Sequence, residues 1–206
     1  MSESRPIPES PLRLDIAELR RRLSTRGAPE FTVFGDDGTE GREAASTAAA
    51  VLIPVIAHQA LTVLFTKRTS HLKSHSGQVS FPGGRAEAHD PSAEFTALRE
   101  AQEEIGLEPE RVEILGRLPD YRTRTGFRVT PVVGLVVPPL ELKPDANEVE
   151  EIFEVPLDFL LDPANRQRHT REWQGRTVGF YVFEHGGRTI WGATAGMLVN
   201  LYRMLA

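Results

Sequence analysis

The sequence predicts an α/β (α+β) sandwich in which strands and helices are mixed along one domain. Three observations predict it. Short runs rich in β-branched and apolar residues, Ala48–Ala57, Leu61–Thr66, Val112–Leu118 and Val129–Val137, read as buried strands. Amphipathic helical stretches are interleaved with them. No internal repeat or linker divides the 206 residues, so residues 1–46 are expected to form an N-terminal helix and loop belonging to the same domain as residues 47–206.

Along the chain, Pro6, Pro8 and Pro11 make the start irregular, and Ser10-Pro11 reads as a helix start. Leu14, Ile16, Leu19 and Leu23 form its apolar stripe, and Gly27 suits its end. Residues 28–46 read as a loop with a weak strand around Phe31–Phe34. His58-Gln59-Ala60 separates two strands of a hairpin or adjacent pair. Val79–Phe81 reads as a short strand entering Pro82-Gly83-Gly84. Asp90-Pro91-Ser92 signals a helix start, Leu98, Ala101 and Ile105 its apolar stripe, and Gly106 its end. Pro138-Pro139 stops a strand. Pro156–Leu161 reads as a short helix, Val178–Phe183 and Thr189–Trp191 as a hairpin about Gly186-Gly187, and Ala193–Leu205 as a terminal helix.

Composition narrows the classes. A net charge of −5 offers no general attraction to nucleic acid or to an anionic membrane, and neither is expected as a partner. The apolar runs are too short to span a bilayer. With no cysteine, disulfides, thiolate metal sites and cysteine nucleophiles are excluded. The first residues lack an apolar secretory stretch, and a cytoplasmic location is expected.

The chemistry concentrates in Arg99-Glu-Ala-Gln-Glu-Glu-Ile-Gly-Leu107. A helix turns about 100° per residue, so Glu100, Glu103 and Glu104 project into an arc about 100° wide. On an ordinary solvated face these carboxylates only repel one another. Glu103 and Glu104 also occupy the last turn, where the macrodipole disfavours anions. A hard divalent cation would turn that repulsion into binding, with a nearby phosphate completing its shell. The Gly83-Gly84 turn lets backbone approach such a centre, and a carbonyl near Gly84 is a further hard ligand. Arg99 could hold Glu87 or Asp90 in a bidentate pair.

These residues resemble the Nudix box, G-x5-E-x7-R-E-U-x-E-E-x-G-U with U aliphatic. Arg99, Glu100, Ala101, Glu103, Glu104, Gly106 and Leu107 match its second half. Counting from Gly84, the first-half glutamate position falls on Asp90, and the loop before Arg99 is one residue longer than the consensus. The upstream stretch from Leu64 to Gly84 resembles a second signature, L-L-T-x-R-[SA]-x3-R-x3-G-x3-F-P-G-G, found in the coenzyme A pyrophosphatases of this family. Leu64, Thr66, Arg68, Gly77, Phe81, Pro82, Gly83 and Gly84 agree with it, and Phe65, Thr69 and Lys73 depart. Asn147-Glu148-Val149 and Val155-Pro156-Leu157 are similar to further elements of that subgroup.

The resemblance implies a Nudix-type α/β/α sandwich with a mixed central sheet and a pyrophosphatase dependent on Mg²⁺ or Mn²⁺. It implies Glu100, Glu103 and Glu104 as metal ligands, joined by the Gly84 carbonyl. Glu103, Arg99 and Glu148 are the catalytic candidates, with Glu103 the choice for proton acceptor and Glu148 the later-loop alternative. Arg68, Lys73, Gly77, Phe81 and Gly83 are the substrate-binding candidates. The implied substrate is coenzyme A, cleaved to 3′,5′-ADP and 4′-phosphopantetheine, and a basic recess is expected for the 3′-phosphate. Arg122, Arg124 and Arg128 form a second basic cluster. The rival readings are a hydrolase of ADP-ribose or NADH and a Nudix-like module that binds without catalysis. The expected partner is a small-molecule diphosphate, and a homodimer is left open.

Overall fold

A computed structural model describes residues 10–25, 46–70, 77–173 and 175–206. Its centre is a mixed sheet. Strand β1 (Thr47–Ile56) runs parallel to β7 (Phe127–Val136), paired from Thr47–Phe127 to Ile56–Val136. Both strands are apolar on both faces, as expected where layers cover a sheet on each side. Strand β5 (Val112–Arg117) and the short β6 (Tyr121–Arg122) lie antiparallel to β7.

The other edge of β1 is divided. Its last residues, Val55 and Ile56, form the hairpin with β2 (Thr62–Arg68). Its first half, Ala49–Val51, pairs instead with β4 (Gly83–Arg85). The wedge between β1 and β2 is filled by β3 (Val79–Ser80), which pairs with Thr66 and Lys67. Strand β8 (Val149–Pro156) closes the far edge of β2.

Two cores result. Helix α2 (Ala93–Ile105) buries Ala97, Ala101 and Ile105 against Leu52, Leu64, Val132 and Val136 on one face. The opposite face packs against α1 (Ile16–Thr25), the short helix α3 (Leu157–Leu160) and the terminal helix α4 (Gly192–Leu205). It also meets a second sheet of β9 (Arg166–Trp173), β10 (Arg176–His185) and β11 (Arg188–Trp191). This is the expected α+β sandwich with a mixed sheet.

The predicted hairpins and helices α2, α3 and α4 are present. Helix α1 starts later than the Ser10-Pro11 signal predicts. Asp15 caps it, its Oδ1 accepting from the Glu18 amide at 2.8 Å. The Ser10 carbonyl accepts instead from the Tyr202 hydroxyl (2.5 Å), and the Leu12 amide donates to Leu161 O (3.3 Å). Tertiary bonds thus hold this segment out of the helix. The predicted end at Gly27 and the weak strand at Phe31–Phe34 fall outside the described residues. Strands β8 and β9 were not predicted: Glu150, Glu151 and Glu154 mask the apolar alternation of β8, and β9 is almost entirely polar.

Candidate active site

Helix α2 is placed by its ends. The Ser92 side chain accepts from the Phe95 amide at 3.2 Å, and Gly106 adopts the left-handed cap (φ 68°) that ends the helix. Beyond the cap, the Lys143 amide donates to Ile105 O (2.8 Å) and the Asp145 amide to Glu104 O (2.9 Å). These bonds satisfy carbonyls that a helix end leaves open. They also draw the 143–148 loop against the acidic turn. Thr69, just after β2, fastens the other side: its amide donates to Glu148 O (2.9 Å) and its hydroxyl to Asn147 O (3.0 Å).

Three elements therefore meet at one point. Glu104, only 6% exposed, accepts from the Gly83 amide at 3.2 Å and faces Arg68 Nη1 at 3.5 Å. Arg68 Nη2 lies 3.8 Å from Glu148. Glu100 packs onto the glycine turn: a Cβ at Gly84 would come within 2.5 Å of its carboxyl carbon. At Gly83, a Cβ would lie 2.5 Å from Ala50 O on β1. The double glycine thus allows two approaches at once, of sheet on one side and carboxylate on the other. The Leu52 amide fixes the turn by donating to Pro82 O at 2.9 Å.

Arg99 organises the outer side. It forks onto the buried Asp90, with Nε at 3.3 Å from Oδ1 and Nη2 at 3.0 Å from Oδ2. Nη2 also donates to Arg85 O (3.2 Å), and Nη1 reaches Glu100 (2.9 Å) and Glu103 (3.1 Å). Asp90 additionally accepts from the Thr96 hydroxyl (2.9 Å) and the Glu87 amide (3.0 Å). Of the two acids considered for Arg99, Asp90 is the partner. The guanidinium holds the Asp90 carboxyl well below the usual carboxylate range.

The inner acids shift the other way. Burial pushes Glu104 up to about 7, against the opposing Gly83 amide and Arg68 charge, with Glu148 and Glu100 adding repulsion. Burial also raises Glu100, opposed by Arg99 and helped by Glu103 and Glu148. Two carboxylates are thus held together with too little positive charge, as a cation site requires.

A profile of the NUDIX domain matches residues 46–174 of this chain. The chain belongs to the Nudix family. It is 42% identical over 161 residues to NudL, an uncharacterized Nudix hydrolase of Pectobacterium atrosepticum, covering 74% of this chain and 80% of that protein. It is 41% identical over 146 residues to the mitochondrial Nudix hydrolase 15 of Arabidopsis thaliana, covering 68% of this chain and 51% of the relative. Among solved structures, a MutT/nudix family protein of Enterococcus faecalis superposes with a TM-score of 0.48 at 16% identity, covering 91% of this chain and 68% of that one.

Nudix hydrolases generally use divalent metals such as Mg²⁺ or Mn²⁺. The donors here suit such an ion: hard oxygens, two of them on desolvated carboxylates, beside a backbone turn cleared of side chains. Among the described residues, no three acidic or histidine side chains stand preassembled as a cage. Glu103 explains this: its side chain is 60% exposed and turned to Arg99.

The Nudix box residues Glu100 and Glu104, Gly83 and Gly84, Arg68 and Glu148 come together. Lys73, with His71 and His75, lies outside the described residues. Gly77 forms an open left-handed turn (φ 66°). Phe81 corrects the expectation of a substrate contact. It is buried, its ring stacked on Phe65 at 5.1 Å, because the chain leaving β3 turns it into the core behind the glycine turn. In the second basic cluster, Arg128 is paired with Asp120 (3.3 Å). The sequence reading missed the Lys143 and Asp145 caps and the role of Thr96. Backbone donors leave no sequence signal, although Thr96, six residues beyond an acid at a helix start, was a hint.

Proposed function

We propose that this Nudix hydrolase cleaves the diphosphate of coenzyme A or its acyl derivatives, releasing 3′,5′-ADP and (acyl-)4′-phosphopantetheine, in the cytoplasm. The observation that carries the reading is the meeting of Arg68 with Glu104 and Glu148. Arg68 comes from the segment that resembles the coenzyme A signature, Glu104 from the box. Their contact supports a single site in which that segment faces the reacting diphosphate.

In this reading Glu100, Glu103 and Glu104 hold Mg²⁺ or Mn²⁺, with the Gly84 carbonyl as a further ligand. When bound, the ion neutralises phosphate oxygens and acidifies a water. Arg99 keeps Glu100 and Glu103 in place through its anchorage on Asp90. Arg68 sets a positive charge beside the diphosphate, and the Gly83 amide keeps Glu104 oriented. A carboxylate must take the proton of the attacking water. Glu103 is engaged by Arg99 at 3.1 Å. Glu148 is half exposed and close enough to Glu100 and Glu104 for its charge to raise both, so it is the favoured acceptor.

The test is product analysis after incubation with coenzyme A and Mg²⁺, with a chelator control and parallel reactions on ADP-ribose and NADH. Metal-dependent release of 3′,5′-ADP, faster than cleavage of the other two, is the expected result. Preferred hydrolysis of ADP-ribose or NADH would overturn the substrate. Ligand binding in Mg²⁺ without consumption of any of the three would favour a non-catalytic module.

A further inference from the structure

The second sheet carries an aromatic face, with Arg171 on it, that the active site does not use. By register Arg166, Arg168 and Arg188 share the opposite face with Phe183, and Arg188 is paired there with Glu151. Side chains alternate between the faces of a sheet. The register Phe183–Arg166 and Phe183–Ile190 belongs to the face packed on α4, where Arg166 lies over Tyr202. The register Phe180–His169 and Val182–Trp191 belongs to the other face.

On that other face, Phe180 packs edge-on to Trp191 (ring centroids 6.0 Å apart) and is tilted against His169 (5.9 Å). The Arg171 guanidinium lies 5.8 Å from the centres of both Phe180 and Trp191. His169 and Arg171 are exposed. The strand that carries Trp191 is tied to the active site through a short chain of contacts. Glu104 meets Arg68 (3.5 Å), the Arg68 amide donates to Gln78 O (3.0 Å), and a Cβ on Gly192, next to Trp191, would lie 3.8 Å from the Gln78 side-chain Nε2. The Thr194 hydroxyl, bonded to Val79 O at 3.1 Å, secures this junction.

We propose that this face binds the 3′-phosphoadenosine end of the substrate, with adenine stacked on Trp191 and in edge contact with Phe180, and the 3′-phosphate held by Arg171 and His169. The proposal rests on the coenzyme A reading and supplies the basic recess that reading requires. Aromatic rings stack bases whatever their edge pattern, and a guanidinium pairs with phosphate oxygens in a planar fork. The juxtaposition of aromatic rings and a guanidinium, on a strand tied to the acidic centre, suits a nucleotide whose diphosphate reaches that centre.

Calorimetric titration of the full chain with 3′,5′-ADP and with 5′-AMP tests it, alongside steady-state kinetics on coenzyme A and 3′-dephospho-coenzyme A. The wild type is expected to bind 3′,5′-ADP more tightly than 5′-AMP. Arg171→Gln, at an exposed position, is expected to fold normally and weaken 3′,5′-ADP binding by about ten-fold or more. Its KM for coenzyme A rises more than that for the dephospho compound, with kcat little changed, and Arg171→Lys recovers part of the loss. Trp191→Leu raises KM for both compounds. Coenzyme A turnover with affinities unmoved by Arg171→Gln and by the second variant His169→Asn overturns the subsite and leaves the function standing. Loss of coenzyme A turnover in the wild type, with 3′,5′-ADP still bound through Arg171, overturns the function and keeps the subsite. A wild-type dimer that Arg171→Gln dissociates, without 3′,5′-ADP binding, assigns the face to a second copy and overturns the proposal.

Discussion

The carboxylate of Glu100 occupies the space that a side chain at residue 84 would need: a Cβ there would lie 2.5 Å from its Cδ and Oε2. The glycine turn and the acidic helix are therefore one unit. Residue 84 also pairs with Ala50 on β1, so the turn cannot retreat without unzipping the sheet edge.

Gly84→Ala should consequently push Glu100 out of position. Displacements of about 1 Å in a catalytic constellation cost about a hundred-fold in rate. The expected outcome is a loss of that order in kcat, with a higher Mg²⁺ concentration for half-maximal activity. Metal titrations of turnover check this.

Glu104→Gln should separate catalysis from folding. Turnover is expected to fall at least about a hundred-fold, since in the proposed site the ion loses a charged ligand. Metal-free stability should move the opposite way above neutral pH. The folded carboxyl is raised from 4.5 to about 7, so the native state holds the proton more tightly than the unfolded chain, and stability falls as pH rises across that window. The full penalty is about 3 kcal/mol above pH 7 and absent below about pH 4. The glutamine variant should melt higher than wild type at pH 8 without metal, and nearly equally at pH 4. Mg²⁺ should raise the wild-type melting temperature most at the alkaline end. Thermal melts with and without metal decide it.

Asp90→Asn tests the outer network with the opposite sign. Folding lowers the Asp90 pKa from 3.8, because Arg99 binds its charged form. Its stabilisation is therefore present above pH 3.8 and is lost as pH falls towards the lower folded value. The variant should show a flatter acid limb in urea unfolding, together with reduced kcat, as Arg99 loses the anchor that orients Glu100 and Glu103.

Glu148→Gln and Glu103→Gln should differ in kind. Removing a general base costs about 10²–10⁴ in rate. Glu148→Gln is expected to show that loss in kcat with the Mg²⁺ concentration for half-maximal activity little changed. Glu103→Gln should raise that Mg²⁺ concentration instead. The reverse pattern in metal titrations of turnover would give the proton-accepting role to Glu103.

Phe81→Ala should behave as a core truncation. Its ring stacks on Phe65, which stacks in turn on Phe153. The expected cost is about 3–5 kcal/mol of stability. At temperatures where the variant is folded, KM should stay near the wild-type value. Chemical unfolding combined with kinetics distinguishes this from a substrate contact.

Much of the molecule was readable in one dimension because its signals are local. Ser92 and Gly106 mark the two ends of α2, the runs in β1 and β7 announce buried strands, and the spacing of Glu100, Glu103 and Glu104 puts them in one arc. What could not be read is what depends on distant backbone. The strand character of β8 hides behind its glutamates, and the start of α1 is moved by bonds from Ser10 and Leu12 to α4 and α3. Phe81 stands inside a motif and reads like a ligand contact, yet only the packing of β3 decides which way its ring turns.

From residue types and spacing alone came the fold class, the acidic helix and its glycine turn, because helical period, capping and glycine's missing side chain act over a few residues. The tertiary structure decided that Asp90 rather than Glu87 holds Arg99, that Arg68 and Glu148 meet Glu104, and that Glu103 turns outward. Those outcomes depend on burial and on charges brought together from separate parts of the chain, so no single stretch of sequence contains them.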